Sequence, residues 1–359
     1  MIPIREYDVI VVGGGPSGAS TAINCANRGL DVLLLERYSE GRSKPCGGVL
    51  PWITSETVED IIDVKMPESV YSRPRELGLY YVPPSGKSNS GRVQGYKIHN
   101  IDRSKFDTWI VDVARNAGVE ISYDSKFLDF ITPNVVKYET SDGEVQAKCR
   151  YLVGADGVRS RVRRCIMPDF ETSTLIVGQE YWRNDKSHDI ENCFYGFFRD
   201  DISIAYAYVI PKGNDIIIGL GVPQKSSPNI SETLDIFRRW LAEEFAFTPS
   251  KQTAKEVWSI PFGYFAPGVG NTLLVGDAAG LCNPLSGEGI RLGIESGEAA
   301  CTAILAGIEG KDAVSIYKRE VDGIAKMVSS LHDMITSWDN PDRELFVKDE
   351  LSRGLKRKN

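Results

Sequence analysis

The chain has no uninterrupted run of about 18 apolar residues, so nothing in it reads as a helix that spans a bilayer. It has no CxxC pair either. Seven cysteines (Cys25, Cys46, Cys149, Cys165, Cys193, Cys282 and Cys301) are scattered and odd in number, which argues against a disulfide framework or a zinc site and for reduced thiols in the cytosol. Positive charge is in deficit: 42 Lys and Arg stand against 49 Asp and Glu, a net charge of −7, without the basic footprint of a nucleic-acid binder. Arg5, Glu6 and Asp8 precede the first apolar run, which is therefore no secretory signal. Internal repeats, low-complexity tracts and long linkers are also missing. What remains is a folded chain of 359 residues, 42% hydrophobic and 25% charged, and at about 150 residues per domain it has room for two. Its abundant residue is glycine, 34 in all, above the usual share of about 7%. Where those glycines fall carries most of the information.

The first forty residues read as one unit. Tyr7 to Val12 is a β-branched strand candidate, followed by Gly13-Gly14-Gly15-Pro16-Ser17-Gly18. Ala19, Ala22, Ile23 and Ala26 follow at helical spacing, Gly29 supplies a C-terminal cap, and Asp31 to Leu35 is a second buried strand ending at Glu36. Strand, glycine turn, helix and strand make a βαβ unit with a parallel sheet. After residue 72 the texture turns to short strands: Leu79–Pro84, Tyr96–Asn100, Phe127–Ile131, Val135–Thr140 and Glu144–Val153. A helix is predicted over Ser104–Asn116, and another over Ser231–Phe245 with Ser231 as its N-cap. Between them, Leu175 to Val222 reads as an antiparallel sheet. Thr272–Val275 returns to buried-strand character, a helix starts near Gly287 and runs to about Leu305, and the last fifty residues are helical and polar.

Gly13, Gly15 and Gly18 fit the G-x-G-x-x-G dinucleotide fingerprint. The first allows the tight turn, the second admits a pyrophosphate, and the third lets helix and strand pack closely. Pro16 and Ser17 open the helix, whose N-terminus offers free N–H groups to phosphate. Glu36, at the end of the second strand, can accept both ribose hydroxyls of an adenosine; the plain alternative is a solvated glutamate. Two further glycine–aspartate turns end strand candidates, Gly154-Ala155-Asp156-Gly157 and Gly276-Asp277-Ala278-Ala279-Gly280. Each is an ordinary turn when taken alone, but an aspartate there can hold a ribityl or ribose hydroxyl.

Taken together, GGGPSG, Glu36, Arg103, GADGVRSRVRR and GDAAGLCNPLSGEGI, in this order, resemble the flavoprotein family of aromatic hydroxylases and their relatives. The resemblance spans roughly the first 310 residues. It implies an α/β architecture, α+β overall: a Rossmann-like FAD-binding domain, discontinuous over 1–75, 99–170 and 263–310. An inserted antiparallel-sheet substrate domain would occupy 76–98 and 171–262, with a C-terminal helical segment over 311–359. FAD is the implied cofactor, with Gly13, Gly15, Pro16, Ser17, Gly18, Glu36, Arg37, Cys46, Gly47, Arg103, Asp277, Gly287, Gly289 and Ile290 as its contacts. No metal is implied.

Two local features narrow the branch. Lys44-Pro45-Cys46-Gly47-Gly48 and the strand Tyr206-Ala207-Tyr208-Val209-Ile210-Pro211-Lys212 resemble elements of the geranylgeranyl reductase family. Tyr208 and Ile210 replace an aromatic pair, Trp and Phe, of that family. The resemblance implies saturation of isolated double bonds in polyprenyl lipids, with Tyr206, Tyr208 and Ile210 on the substrate pocket. Such an alkene has no carbonyl to take up charge, so hydride addition needs a placed proton and a dry site. Cys46 is the first candidate for that proton, ahead of Glu288 and Tyr206; the plain reading of Cys46 is a small residue packed beside a tight turn. A flavin monooxygenase or halogenase would share every FAD motif. A flavin electron carrier to quinone would add a four-cysteine cluster, which is missing, and a redox-silent FAD-binding protein is the last alternative. With no second glycine fingerprint for a nicotinamide, ferredoxin, a deazaflavin and NADPH all stay open as electron donor. The expected location is cytoplasmic, with peripheral membrane contact through Arg353, Lys356, Arg357 and Lys358, four of the last seven residues; the alternative is a solvated tail.

Overall fold

The computed structural model describes residues 4–42, 44–185, 188–226 and 229–356. Two sheets organise it. The first contains β1 (Arg5–Val12), β2 (Val32–Leu35), β6 (Glu120–Ser122), β7 (Lys126–Thr132), β8 (Val135–Thr140), β9 (Gly143–Gly154), β15 (Gly268–Val269) and β16 (Thr272–Leu274). Its spine runs β16-β9-β1-β2-β6, parallel throughout. Strands buried on both faces need continuous apolar sequence, and the Val-Leu-Leu-Leu of β2 is wholly buried. Helices α1 (Pro16–Asn27), α3 (Arg103–Asn116) and α7 (Ile290–Ile308) belong to this half, together with the short α4 (Arg161–Ile166) and α6 (Gly276–Ala279).

The second sheet is ordered β14-β10-β13-β12-β11-β4-β5-β3. Its strands are β3 (Val49–Pro51), β4 (Tyr71–Val82), β5 (Gly91–Ile101), β10 (Thr174–Arg183), β11 (Cys193–Phe197), β12 (Ala207–Lys212), β13 (Asp215–Pro223) and β14 (Gln252–Pro261). All pairings are antiparallel except β4 with β11. Helix α5 (Ile230–Phe245) buries Leu234, Phe237, Leu241 and Phe245 against this sheet. Helix α2 (Trp52–Ile62) follows β3, and α8 (Ala313–Glu320), α9 (Asp322–Ser337) and α10 (Asn340–Lys356) complete the chain.

Most predicted elements recur, but β4 begins at Tyr71 rather than Leu79, β5 at Gly91 rather than Tyr96, and α2 was not predicted. Helix α3 starts at Arg103, one residue early, because Asp102 is the N-cap and accepts from the N–H groups of Ser104 and Lys105. Asn229, not Ser231, caps α5. Helix α7 begins at Ile290, beyond Gly287, with Gly289 at its N-cap. Strand β3 lies inside the stretch 1–75 expected to bind the nucleotide, yet it pairs with β5 in the second sheet. A three-residue strand carries too little pattern to be read from sequence.

Candidate active site

Both sheets border one continuous cavity of about 630 Å³. At one end lies the turn after β1. A Cβ on Gly18 would collide with the carbonyl of Gly13, and one on Gly13 with the carbonyl of Ala155, so close approach demands glycine at both. Gly15 and Gly289, the N-caps of α1 and α7, line the cavity, and neither helix end is closed by a side-chain hydrogen bond. Two sets of free N–H groups therefore open toward one cleft, as an anionic dinucleotide requires. The Glu36 carboxylate accepts from Gly14 N–H at 2.8 Å and Tyr38 N–H at 3.0 Å, and pairs with Arg42 at 3.3 Å. Asp277 faces the same cleft and pairs with Lys44 at 3.2 Å. Asp156 uses one oxygen to cap α4, accepting from Arg161 and Val162, while its other oxygen is buried without a partner. Burial raises the Asp156 carboxyl above the usual range. Open helix ends, a glycine cradle and an orphaned carboxylate oxygen fit a pyrophosphate and its attached sugars.

Of the residues predicted to hold FAD, Gly13, Gly15, Pro16, Ser17, Glu36, Arg37, Cys46, Gly47, Arg103, Asp277, Gly287, Gly289 and Ile290 all line this cavity. Gly18 does not; its place is the packing of α1 on the first sheet. Arg103 is buried, with its guanidinium bound to both oxygens of Asp107 at 2.6 and 3.2 Å.

At the other end the second sheet presents an apolar wall that includes Leu79, Tyr81, Ile98, Phe194 and Trp258, with Tyr206, Tyr208 and Ile210 among them. Tyr208 lies flat across Gly219, where a Cβ would collide with its ring, and its hydroxyl donates to Gln179 Oε1 at 3.0 Å. Gln179 in turn donates to Glu256 at 2.9 Å. Tyr206 donates to the carbonyl of Ser286 at 3.0 Å, bridging the wall to the loop before α7. Burial pushes both hydroxyls well above the ordinary tyrosine range. Between the two ends sits the Cys46-Gly47-Gly48 loop. The Cys46 sulfur accepts from Gly48 N–H at 3.3 Å, and Gly47 passes so close to Ile210 that a Cβ would meet its Cδ1 at 2.9 Å.

This geometry reorders the proton-donor candidates. Both oxygens of Glu288 accept from Arg291, at 3.0 and 3.1 Å, and Thr54 donates to it at 2.5 Å. Glu288 is thereby an acceptor fixed at the start of α7. Cys46 is half-buried and lines the cavity. Several polar groups of the site escaped sequence reasoning. Arg42 joins Glu36 and Asp107. Arg163, buried, donates to the carbonyls of Val158 and Ala278, tying both glycine–aspartate turns together. Lys212 reaches the Gly48 carbonyl from the second sheet. Arg163 and Lys212 stand inside quoted motifs and Arg42 just before one, but nothing in their spacing marked them off from solvated cations. Among the described residues no group of His, Cys, Asp and Glu is arranged to hold a metal ion, and no helix is long and apolar enough to cross a membrane. At the C-terminus Arg353 pairs with Glu350 at 2.9 Å; the side chain of Lys356, and Arg357 and Lys358, lie outside the described residues.

Comparison with known proteins agrees with a flavin-binding fold. The FAD binding domain family matches residues 6–188. The chain is 32% identical to digeranylgeranylglycerophospholipid reductase 1 of Methanopyrus kandleri, over 88% of its own length and 85% of that protein's. Among solved structures it superimposes on a geranylgeranyl bacteriochlorophyll reductase-like protein of Thermoplasma acidophilum with a TM-score of 0.81, at 21% identity, covering 97% of this chain and 92% of that one. The flavin-dependent brominase Bmp2 shares the fold as well, with a TM-score of 0.77 at 19% identity, covering 99% and 90%.

Proposed function

The chain belongs to the FAD-dependent oxidoreductases of the geranylgeranyl reductase type, and from that premise we propose that it saturates isolated carbon–carbon double bonds of polyprenyl lipid chains. The observation that carries this reading is the single cavity, which joins a dinucleotide cradle to an aromatic and aliphatic wall across the Cys46 loop. A polyprenyl chain is apolar along its length, and such a wall accepts it without leaving polar groups unpaired. In this reading residues 1–75, 99–170 and 263–310 serve the cofactor and the inserted segments serve the substrate, with β3 contributed to the substrate sheet.

FAD, once reduced, supplies the hydride. Glu36 would hold its adenosine ribose, the open ends of α1 and α7 its pyrophosphate and isoalloxazine ring, and Asp277 its ribityl chain. The chain's own task is the second hydrogen. Cys46 donates a proton to one alkene carbon as hydride arrives at the other, and the thiolate recovers its proton from solvent. Tyr206, Tyr208 and Ile210 confine the prenyl chain and exclude water. The lipid would be collected from a bilayer surface or a carrier, with the basic C-terminal residues as a reversible contact.

The test is anaerobic incubation of dithionite-reduced holoprotein with a geranylgeranyl lipid, read by mass spectrometry. Gain of two hydrogens per reduced bond is expected from the wild type and from Cys25→Ala. Cys46→Ala should keep its yellow FAD and lose most of that activity. No mass gain would overturn the reading, and aerobic gain of oxygen or halogen would assign the chain to the monooxygenase or halogenase branch.

A further inference from the structure

Lys212 ends β12, the strand whose Tyr208 and Ile210 face the cavity. Lys212 is half-buried and makes no ion pair among the described residues. Instead it donates to two backbone carbonyls, Gly48 at 3.0 Å and Ile101 at 2.8 Å. The Gly48 carbonyl also accepts from Ile101 N–H at 2.8 Å, while the Gly48 N–H donates to the Cys46 sulfur. One residue thus touches the cysteine through its N–H and the lysine through its C=O. Gly48 adopts φ +63°, and a Cβ on it would collide with Lys212 Nζ, so the loop is shaped around this contact. A buried cation without a carboxylate is costly, and a structural tie between two backbone segments has no need of charge.

We propose that Lys212 is a positioning residue for Cys46: anchored on the Gly48 and Ile101 carbonyls, it holds the Cys46–Gly48 loop against the substrate strand and sets a positive charge beside the sulfur. Arg103 of α3 lines the same cavity as this loop. The other ionisable groups facing this loop are Asp107, which neutralises Arg103; Asp102 at the cap of α3; Tyr181 and Tyr208 from the second sheet; and Cys282 with the Lys44–Asp277 pair from the far side. The proposal rests on the reading of Cys46 as the proton donor only for its consequence in catalysis.

The test is the pH dependence of Cys46 alkylation by iodoacetamide in FAD-loaded protein, followed by peptide mass spectrometry in a Cys165→Ser background. The other five cysteines are buried. Only the thiolate reacts, so the rate at about pH 7, where the Lys212 amine keeps its charge, taken relative to the high-pH plateau reports the charge beside the sulfur, whereas altered access changes both alike. In Lys212→Met that ratio should fall about threefold. Lys212→Gln, which keeps a donor but no charge, should fall likewise and guards against failure of the first variant to fold. An unchanged ratio in either folded variant overturns the proposal. A lowered ratio in a protein that reduces no prenyl lipid would uphold it and overturn the functional reading instead.

Discussion

Glu36 shows how much one carboxylate can organise. It is 5% exposed, takes hydrogen bonds from the backbone of both the glycine turn and its own strand end, and holds Arg42. Glu36→Ala should weaken FAD retention by roughly 1.5–3 kcal/mol, since bonds to a charged group are lost; flavin release during dialysis, followed by fluorescence, measures it. Lys212 offers a second prediction. Burial lowers its amine from the ordinary 10.5 to about 8. Between those values the unfolded chain binds the proton and the native protein does not, so stability from this group rises as pH climbs through that window. The gain is on the order of 3 kcal/mol. Urea unfolding at both ends of the window should therefore show a steeper rise in the wild type than in Lys212→Met; parallel curves would mean the ammonium stays charged.

At the scale of elements, one row across the second sheet explains the shape of the cavity wall. Tyr81, Gly196, Tyr208, Gly219, Gln179 and Glu256 stand opposite one another on successive strands. Aromatic residues alternate with glycines because each ring needs the space beside it: Tyr81 packs over Gly196 and Tyr208 over Gly219. The tyrosine that replaces tryptophan here can be held at its far end by Gln179, and Gln179 by Glu256. Gly219→Ala should drive the Tyr208 ring into the cavity. Overpacking of this kind costs about 1–3 kcal/mol. FAD content should be unchanged while long prenyl chains are reduced more slowly than short ones, which competition between two chain lengths would reveal. Equal losses for both lengths would mean the row serves stability alone.

Across the whole molecule, the C-terminal helices close the structure over the second sheet. Arg343 on α10 is 1% exposed and donates to the carbonyls of Ser203, Ile204 and Ala205. Ser203 and Ala205 line the cavity, and Phe346 of the same helix packs on Tyr81 and Phe198. The site is thus completed by residues some 140 positions from the segment they hold. Arg343→Met leaves three carbonyls short of a donor and should destabilise the protein by about 2–4 kcal/mol. Thermal melting of the holoprotein gives the size of the effect; a change within about 0.5 kcal/mol, the range of surface substitutions, would show that water replaces the guanidinium without cost.

By itself the sequence determined the cofactor and the fold family. G-x-G-x-x-G after a strand, Glu36 at the next strand end, and two glycine–aspartate turns are local patterns whose chemistry depends on neighbours a few residues away. Helix and strand positions were legible for the same reason, since their periodicities are local. The start of α3 and the cap of α5 slipped by one or two residues because several polar residues stand at each helix start. Tertiary structure alone decided which charged groups meet distant partners: Glu288 with Thr54, Lys44 with Asp277, Lys212 with the loop of Cys46. A charge carries no mark in sequence of whether it will meet water or a partner. Desolvation and pairing are properties of the neighbourhood, and that neighbourhood is assembled from strands and loops more than a hundred residues apart.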